Sequence, residues 1–139
     1  MQISRRHAAL LLPALARAAE KPAVLPSKVY KFDELPAKKN AKGNISRAIL
    51  DGATHTGYPI EAHSTELKPG EMPHPPHHHA HEEMVFVEQG TMEVTISGKA
   101  ERCGPGSAAF VASGEEHGWK NVGTTNARYF VIAFGREKA

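Results

Sequence analysis

The sequence predicts an all-β fold, a barrel formed by a single domain, and three observations support this. Its 139 residues suffice for one domain of ordinary size and not for two. Beyond the first twenty residues, apolar side chains recur at every second position in many short stretches, and no stretch shows the 3.6-residue period of an amphipathic helix. Glycines separate these stretches at short intervals, a pattern typical of closely spaced antiparallel strands.

The composition is that of a globular protein and excludes several functional classes. Seventeen Lys and Arg against fifteen Asp and Glu give a formal net charge of +2, which argues against a dedicated nucleic-acid-binding protein. Hydrophobic residues make up 40% and charged residues 23%, unlike a disordered chain. Because Cys103 is the only cysteine, an intrachain disulfide and a cysteine-rich zinc module are both excluded.

Residues 1–18 have the pattern of a secretory signal peptide. Arg5 and Arg6 precede a short apolar run at residues 8–16, and a small-x-small tripeptide ending at Ala18 suits signal peptidase. The run is far below the roughly 20 residues of a membrane span, so we expect export to the periplasm and no membrane partner. The paired arginines also resemble a twin-arginine signal, with the general secretory route and a short amphipathic helix as alternatives. Cleavage would remove three arginines and no acidic residue, which lowers the formal charge from +2 to −1.

The strands follow in order after an arm at residues 19–45, which is rich in Pro, Lys and Ala. The arm contains one predicted short strand, Lys28–Phe32, and the barrel is expected at residues 46–136. Gln89-Gly90 has the residue types of a hairpin turn between two alternating stretches. The further predicted strands are Ile45–Leu50, Ile60–Leu67, Glu83–Glu88, Thr91–Ile96, Lys99–Cys103, Ser107–Val111, His117–Val122 and Ala127–Phe134.

Aromatic residues of these strands are expected to fill the core of the barrel rather than to stack on a substrate. Trp119 is the best candidate for a cavity wall, because it has the same strand parity as His117. The strand aromatics are Phe86, Phe110, Trp119, Phe130 and Phe134.

Histidine is the most informative residue type, since five of the nine histidines fall within residues 74–81. Residues two apart in an extended segment point the same way, so His77 and His79 can project into one cavity, and Glu83 shares their parity. His117, on a later strand pair, is the remaining candidate for a fourth donor. Three imidazoles and one carboxylate suit one divalent transition metal ion (Fe, Mn, Ni, Cu or Zn) and leave positions for water, substrate or dioxygen.

The other histidines have less specific interpretations. His81 shares the parity of His79 and could compete as a ligand, unless a turn at Ala80 removes it. An exposed histidine loop that binds metal without function is the alternative for the whole cluster. Four histidines are expected at the surface, at the pocket rim or behind the ligands, namely His55, His63, His74 and His78.

Two sequence motifs resemble those of small single-domain cupins. The first family motif, G-x5-H-x-H-x(3,4)-E-x6-G, is matched by Gly70–Gly90 with one extra residue before His77. The second, G-x5-P-x-G-x2-H-x3-N, is matched by Gly106–Asn121 with Ala112 in the proline position. The resemblance covers about residues 58–135 and fills every ligand position of the two motifs.

The resemblance implies a double-stranded β-helix, a jelly-roll-like barrel with the metal site inside. It also implies a homodimer formed by strand exchange or sheet extension, a part that the arm at residues 19–45 could play. Asn121, which closes the second motif, is expected to be structural. The metal ligands that the resemblance implies are His77, His79, Glu83 and His117.

The resemblance further implies a metal-dependent enzyme, most simply a dioxygenase acting on a small chelating phenolic or enolic substrate. Glu83 would leave the metal briefly and act as the catalytic base, as similar dioxygenases suggest, with His63, His81 and Glu66 as other candidate bases. Two other functions stay open: a non-catalytic metal or small-ligand binder of the cell envelope, and a non-redox isomerase or lyase.

Overall fold

The structure is a computed structural model that describes residues 22–135. The predicted signal peptide at residues 1–18 lies outside this range. No helix in the described range is long and apolar enough to cross a membrane. Besides a short 3₁₀ helix at Phe32–Glu34, this range contains β1 (Ala37–Lys39), β2 (Ile45–Ala53), β3 (Pro59–Leu67), β4 (Glu82–Gln89), β5 (Met92–Ile96), β6 (Lys99–Cys103), β7 (Ala108–Val111), β8 (His117–Asn121) and β9 (Ala127–Phe134).

The strands form two antiparallel sheets, which confirms the prediction of an all-β, jelly-roll-like fold. Six strands pair in the order β1-β2-β3-β9-β4-β7, and three pair in the order β6-β5-β8. Neighbours in the large sheet come from distant parts of the sequence, so its inner face brings together side chains that no local pattern connects.

The core lies between the sheets and is built from strand alternation. On β9 every second residue is buried, from Ala127 through Tyr129 and Val131 to Ala133. Val85 and Val87 of β4 lie opposite Val131 and Tyr129 in the ladder and complete this layer. Burial of each large apolar side chain is worth roughly 1.5–3 kcal/mol, so this face stabilises the wall that carries the site.

The arm differs from its prediction, because the strand expected at Lys28–Phe32 is wrong. The only ladder strand of the described arm is β1, which pairs with the start of β2 through a tight turn. In that turn the Asn40 side-chain oxygen accepts from the backbone N–H groups of Lys42 and Asn44. A strand needs a partner edge as well as alternating side chains, and this turn provides the partner at residues 37–39.

The predicted core aromatics also differ from expectation, since of the five named above Trp119 alone belongs to the core, where it is 3% exposed. Phe110 is 52% and Phe86 39% exposed. Val85 faces inward, so its neighbour Phe86 must face outward on the same strand. The strand phenylalanines that lie on the outer face of the large sheet are Phe86, Phe110, Phe130 and Phe134.

The turn after β4 requires the glycine that the motif places there. Gly90 has a φ of +84°, and a Cβ at this position would lie 2.7 Å from the Cα of Ala127. Glycine alone combines this backbone conformation with so close an approach. The predicted turn is present, but the predicted hairpin is wrong: β4 pairs with β7 and β9, whereas β5 pairs with β6 and β8, so the chain passes from one sheet to the other at Gly90.

Candidate metal centre

The four predicted ligands come from three segments that main-chain hydrogen bonds hold together. His77 and His79 lie on the extended segment before β4, Glu83 is near the start of β4, and His117 opens β8. The N–H of His77 donates to the carbonyl of His117 at 3.0 Å, and the reverse bond measures 2.9 Å. The N–H of Gly114 donates to the carbonyl of His79 at 2.9 Å. The spacing of the ligands is therefore set by the backbone.

The side-chain donor atoms have the separations that a single metal ion requires. Ring nitrogens of His77, His79 and His117 all lie within 4.8 Å of one another. Glu83 Oε1 is 3.2 Å from His79 Nε2, and Glu83 Oε2 is 3.5 Å from His117 Nε2. Two ligands with bonds of about 2.0–2.2 Å to one ion are themselves roughly 3–3.5 Å apart. These four side chains could hold a metal ion.

Backbone carbonyls fix the tautomers of two of the imidazoles. Nδ1 of His79 lies 2.8 Å from the carbonyl of His81, and Nδ1 of His117 lies 2.9 Å from that of Glu115. A carbonyl only accepts, so each Nδ1 carries the proton and each neutral ring presents a lone pair on Nε2. Both Nε2 atoms are buried without a hydrogen-bond partner. An ion at this position would satisfy two polar atoms that are otherwise costly to bury.

His77 is kept neutral by its surroundings. Burial is the largest cause, followed by the charges of His74, His117 and His79, and together they lower the pKa of His77 from 6.5 to about 4. Nδ1 of His77 is also buried without a hydrogen-bond partner. At neutral pH this ring is a neutral donor, the form that binds metal.

His81 lies closer to the site than a simple turn at Ala80 would allow. The chain does bend at residues 80–81, yet His81 Nε2 lies 3.3 Å from Glu83 Oε1. Its ring stacks on that of His79 with centroids 3.5 Å apart and planes 10° from parallel. His79, His81 and Glu83 form a second possible metal-holding group that overlaps the first.

The histidines expected outside the ligand set lie at the surface or the rim. His78 is exposed, and His55 is exposed with a ring nitrogen 3.0 Å from the carbonyl of Leu25. His74 is exposed at the rim, with its ring centroid 4.1 Å from that of His77. These positions agree with the expectations from strand parity and the flanking prolines.

Two further sequence predictions concern residues near the second motif and β3. Asn121 is fully buried and donates to the carbonyls of Leu67 and Thr125, as expected of a structural residue. Glu66, a candidate base, accepts a hydrogen bond from Asn126 and lies opposite Arg128 on the outer side of β3. It therefore lies away from the candidate ligands.

A cavity of about 560 Å³ adjoins Glu83. Trp119, Tyr129 and Val131 form its apolar wall, and the rings of Trp119 and Tyr129 stack at 6.0 Å with planes 28° apart. Burial raises the pKa of the Tyr129 hydroxyl far above its ordinary value, so this group stays protonated. The expectation that Trp119 lines a cavity is confirmed. The polar lining comprises Lys38, Asn40, Asn44, Ser46, His63, His74 and Thr65.

Sequence reasoning missed the pairing of Glu61 with His63, the histidine that lines this cavity. His63 Nδ1 lies 3.0 Å from both carboxylate oxygens of Glu61. The available signal was their two-residue spacing on a predicted strand, which places both side chains on one face. Only the structure shows that β3 and β4 flank β9, so that Glu61, Ala133 and Glu83 lie in one row.

Solved structures of low sequence identity share the fold. KdgF from a Halomonas species aligns with a TM-score of 0.67 at 19% identity, covering 80% of this chain and 96% of that one. An RmlC-like cupin from Shewanella frigidimarina gives 0.64 at 18% identity, covering 79% and 93%. The polyketide cyclase RemF from Streptomyces resistomycificus gives 0.65 at 24% identity, covering 83% of each chain.

The sequence comparisons agree with the fold at the level of the family. No curated protein sequence matches the chain. The family model described as the cupin domain matches residues 63–133, just over half of the chain, and this range contains both histidine motifs. The chain belongs to the cupin domain family.

Proposed function

We propose that this cupin is a metal-dependent enzyme of the dioxygenase type that acts on a small chelating phenolic or enolic substrate. The observation that carries this proposal is the pair of buried, unpartnered Nε2 lone pairs of His79 and His117, which converge on Glu83. With His77 they make a set of three imidazoles and one carboxylate. Such a set leaves room on a first-row ion for two substrate oxygens or for dioxygen.

In the proposed mechanism the metal ion would supply the redox chemistry, and side chains of the protein would transfer protons. When bound, Fe, Mn, Ni or Cu would supply Lewis acidity and the one-electron chemistry that dioxygen requires, whereas Zn would supply Lewis acidity alone. Glu83 is buried at the edge of the cavity, so its carboxylate is placed to accept the first hydroxyl proton of the substrate. His81 Nε2, 3.3 Å from Glu83 Oε1, is placed to hold that carboxylate in position.

The cavity suits a small planar molecule. Its volume of about 560 Å³ falls within the range of about 300–1,000 Å³ that is usual for small-ligand pockets. The stacked rings of Trp119 and Tyr129 offer a flat apolar wall, and the opposite side offers polar groups that could orient a substrate.

The test is dioxygen uptake by the signal-free protein loaded in turn with Fe, Mn, Ni, Cu and Zn, against a panel of catechols and enediols. We expect uptake with at least one redox-active ion and a fall of about 100-fold or more in Glu83→Gln. His78→Ala is the matched control, because His78 is exposed within the same cluster, and it should keep full activity. Turnover without dioxygen would instead identify an isomerase or lyase, and a bound ion with no exchangeable position would identify a binding protein.

Export to the periplasm belongs to the same proposal. The support is the charged, apolar and small-residue pattern of residues 1–18, with Arg5 and Arg6 as the twin-arginine element. Replacement of both arginines by lysine should abolish export of the folded protein, measured by fractionation of cells. Full export of the double variant would contradict the twin-arginine route.

A homodimer completes the proposal, with a second copy that extends the large sheet at its β7 edge. β7 is the end strand of that sheet, and Phe110 on β7 lies beside Met84 and near Phe86 on a partly exposed apolar surface. A second copy could extend the sheet at β7 and cover these side chains. Sedimentation should give a dimer for the wild type and a monomer for Phe110→Asp, whereas a monomeric wild type would contradict it.

A further inference from the structure

We infer that Glu61 and His63 form an acid–base dyad that accepts the second proton of a chelating substrate. This inference rests on the proposed function. A catechol or enediol that binds through both oxygens releases two protons, and Glu83 is placed to accept only one. His63 would take the other on Nε2, become an imidazolium paired with the Glu61 carboxylate, and return the proton to the product.

The hydrogen bonds within the dyad fix which nitrogen is the base. Nδ1 of His63 lies 3.0 Å from each carboxylate oxygen of Glu61. Since an ionised carboxylate only accepts, Nδ1 carries the proton, and in the neutral ring Nε2 is the basic nitrogen. A carboxylate that accepts the Nδ1–H of a histidine leaves Nε2 as the basic nitrogen, and this arrangement orients the ring for general base catalysis.

The histidine of the dyad lines the cavity that adjoins Glu83 of the candidate metal centre. His63 lines this cavity together with Glu83 and Trp119. In the sheet Glu61 lies opposite Ala133, which in turn lies opposite Glu83, so the two carboxylates are separated by two strand spacings, about 10 Å. The small side chain of Ala133 lies between them. A molecule bound beside Glu83 can therefore approach His63 from the same side.

The partner of Nδ1 distinguishes His63 from the metal-ligand candidates. His79 and His117 donate to neutral backbone carbonyls, which fix a tautomer without stabilising a positive ring. His63 instead donates to the negatively charged carboxylate of Glu61 at 3.0 Å. The first environment suits a ligand that must stay neutral, and the second suits a group that gains and releases a proton.

The remaining charges around the dyad come from several elements. Burial raises the pKa of Tyr129, so its hydroxyl stays neutral. Replacement of Glu61 removes the carboxylate that accepts the Nδ1 hydrogen bond of His63. The titratable groups that line the cavity or oppose the dyad across the sheet are Lys38, Asp51, His74, Glu83 and Tyr129.

The first test is nitrogen NMR of the His63 ring in the metal-free protein. We expect the neutral ring of the wild type to carry its proton on Nδ1, and the ring of Glu61→Ala to populate the Nε2–H form as well, because the acceptor of the Nδ1 proton is gone. Glu66→Ala is the matched control, since Glu66 is on the outer side of the same strand, and it should leave the tautomer unchanged. An unchanged tautomer in Glu61→Ala would overturn the dyad.

The second test uses 4-nitrocatechol and the Zn²⁺-loaded protein, because the absorbance of this probe separates its monoanion from its dianion. The wild type should bind the dianion near neutral pH. Glu61→Gln and His63→Gln should keep Zn²⁺ but bind the probe about tenfold more weakly, a factor that corresponds to one pKa unit. In both variants the bound probe should become a dianion only at higher pH. Glu66→Gln should match the wild type.

The outcomes separate the dyad from the function on which it rests. Equal affinity and an equal pH for dianion formation in all four proteins would overturn the dyad and leave the metal centre intact. Absence of probe binding by the Zn²⁺-loaded wild type would contradict the proposed substrate class. The tautomer of the His63 ring by NMR, which needs neither metal nor substrate, would then decide whether Glu61 and His63 form the dyad.

Discussion

His78 and His79 are neighbours in the same histidine-rich segment, yet their surroundings differ completely. His78 is exposed, whereas the Nε2 atom of His79 is buried and its Nδ1 is held by the carbonyl of His81. Alternation in the extended segment turns one ring outward and the next inward, and the backbone bond from Gly114, in the loop before β8, holds the carbonyl of His79 in place. This backbone arrangement is what would allow a histidine-rich segment to hold a metal ion, and the number of histidines alone would not.

The largest expected effect is the loss of a buried histidine ligand. His79→Ala and His117→Ala should each weaken metal binding by at least about 100-fold, because each removes a proposed ligand whose tautomer is fixed. This loss is larger than the one usually caused by replacing a residue that only orients a ligand. His78→Ala should bind as the wild type does. Competition against a chromophoric chelator measures all three.

Controls for this prediction are the unfolding curves of the metal-free variants. His117 is 1% exposed, so its loss could also destabilise the fold, and Glu83→Gln offers a nearly isosteric second variant. Equal losses of affinity in the His78 and His79 variants would show that the cluster binds metal through exposed histidines.

A smaller effect is expected at His81, which contacts Glu83 without belonging to the proposed ligand set. His81→Phe keeps a ring that can stack on His79 but removes the nitrogen 3.3 Å from Glu83 Oε1. We expect an affinity loss of about tenfold, the lower end for a residue that orients a ligand. A loss as large as that of His79→Ala would make His81 a ligand itself.

Much of this arrangement can be predicted from the sequence, because alternation is a local property. The ladders of β4, β5, β6 and β9 begin and end within two residues of their predicted bounds. The strand parity that places Glu83 on the inner face also places Phe86 on the outer face, so the exposure of Phe86 could have been predicted from the same alternation. Strand pairing is not local, and for that reason β1 and the position of Phe110 opposite Met84 could not be predicted.

The candidate site shows the same division between local and distant information. His77, His79 and Glu83 follow from spacing along one segment, and His117 follows from the second motif. The spacing of Glu61 and His63 is local, but the position of this pair relative to Glu83 depends on β9 lying between β3 and β4, a neighbour relation that the topology alone establishes. The overlap of His81 with the ligand set depends on a bend whose geometry no residue pattern specifies.

The smallest effect concerns acid stability and distinguishes His77 from the exposed His78. The folded protein lowers the pKa of His77 to about 4, below the unfolded value of about 6.5, so between these values the unfolded chain binds more protons. The stability of the metal-free wild type should therefore fall as the pH drops from 6.5 towards 4. His77→Gln should lose less stability over this window, and His78→Ala should follow the wild type.

Urea unfolding at several pH values measures this difference. Parallel curves for the wild type and His77→Gln between pH 6.5 and 4 would show that the fold does not keep this ring neutral.

The most direct test of the metal centre is the anomalous diffraction signal of a crystal of the metal-loaded protein. We predict one strong peak per chain within about 2.0–2.2 Å of donor atoms of His77, His79, Glu83 and His117. A peak bound instead by the overlapping group of His79, His81 and Glu83, with His77 and His117 uninvolved, would contradict the four-ligand site and the mechanism built on it.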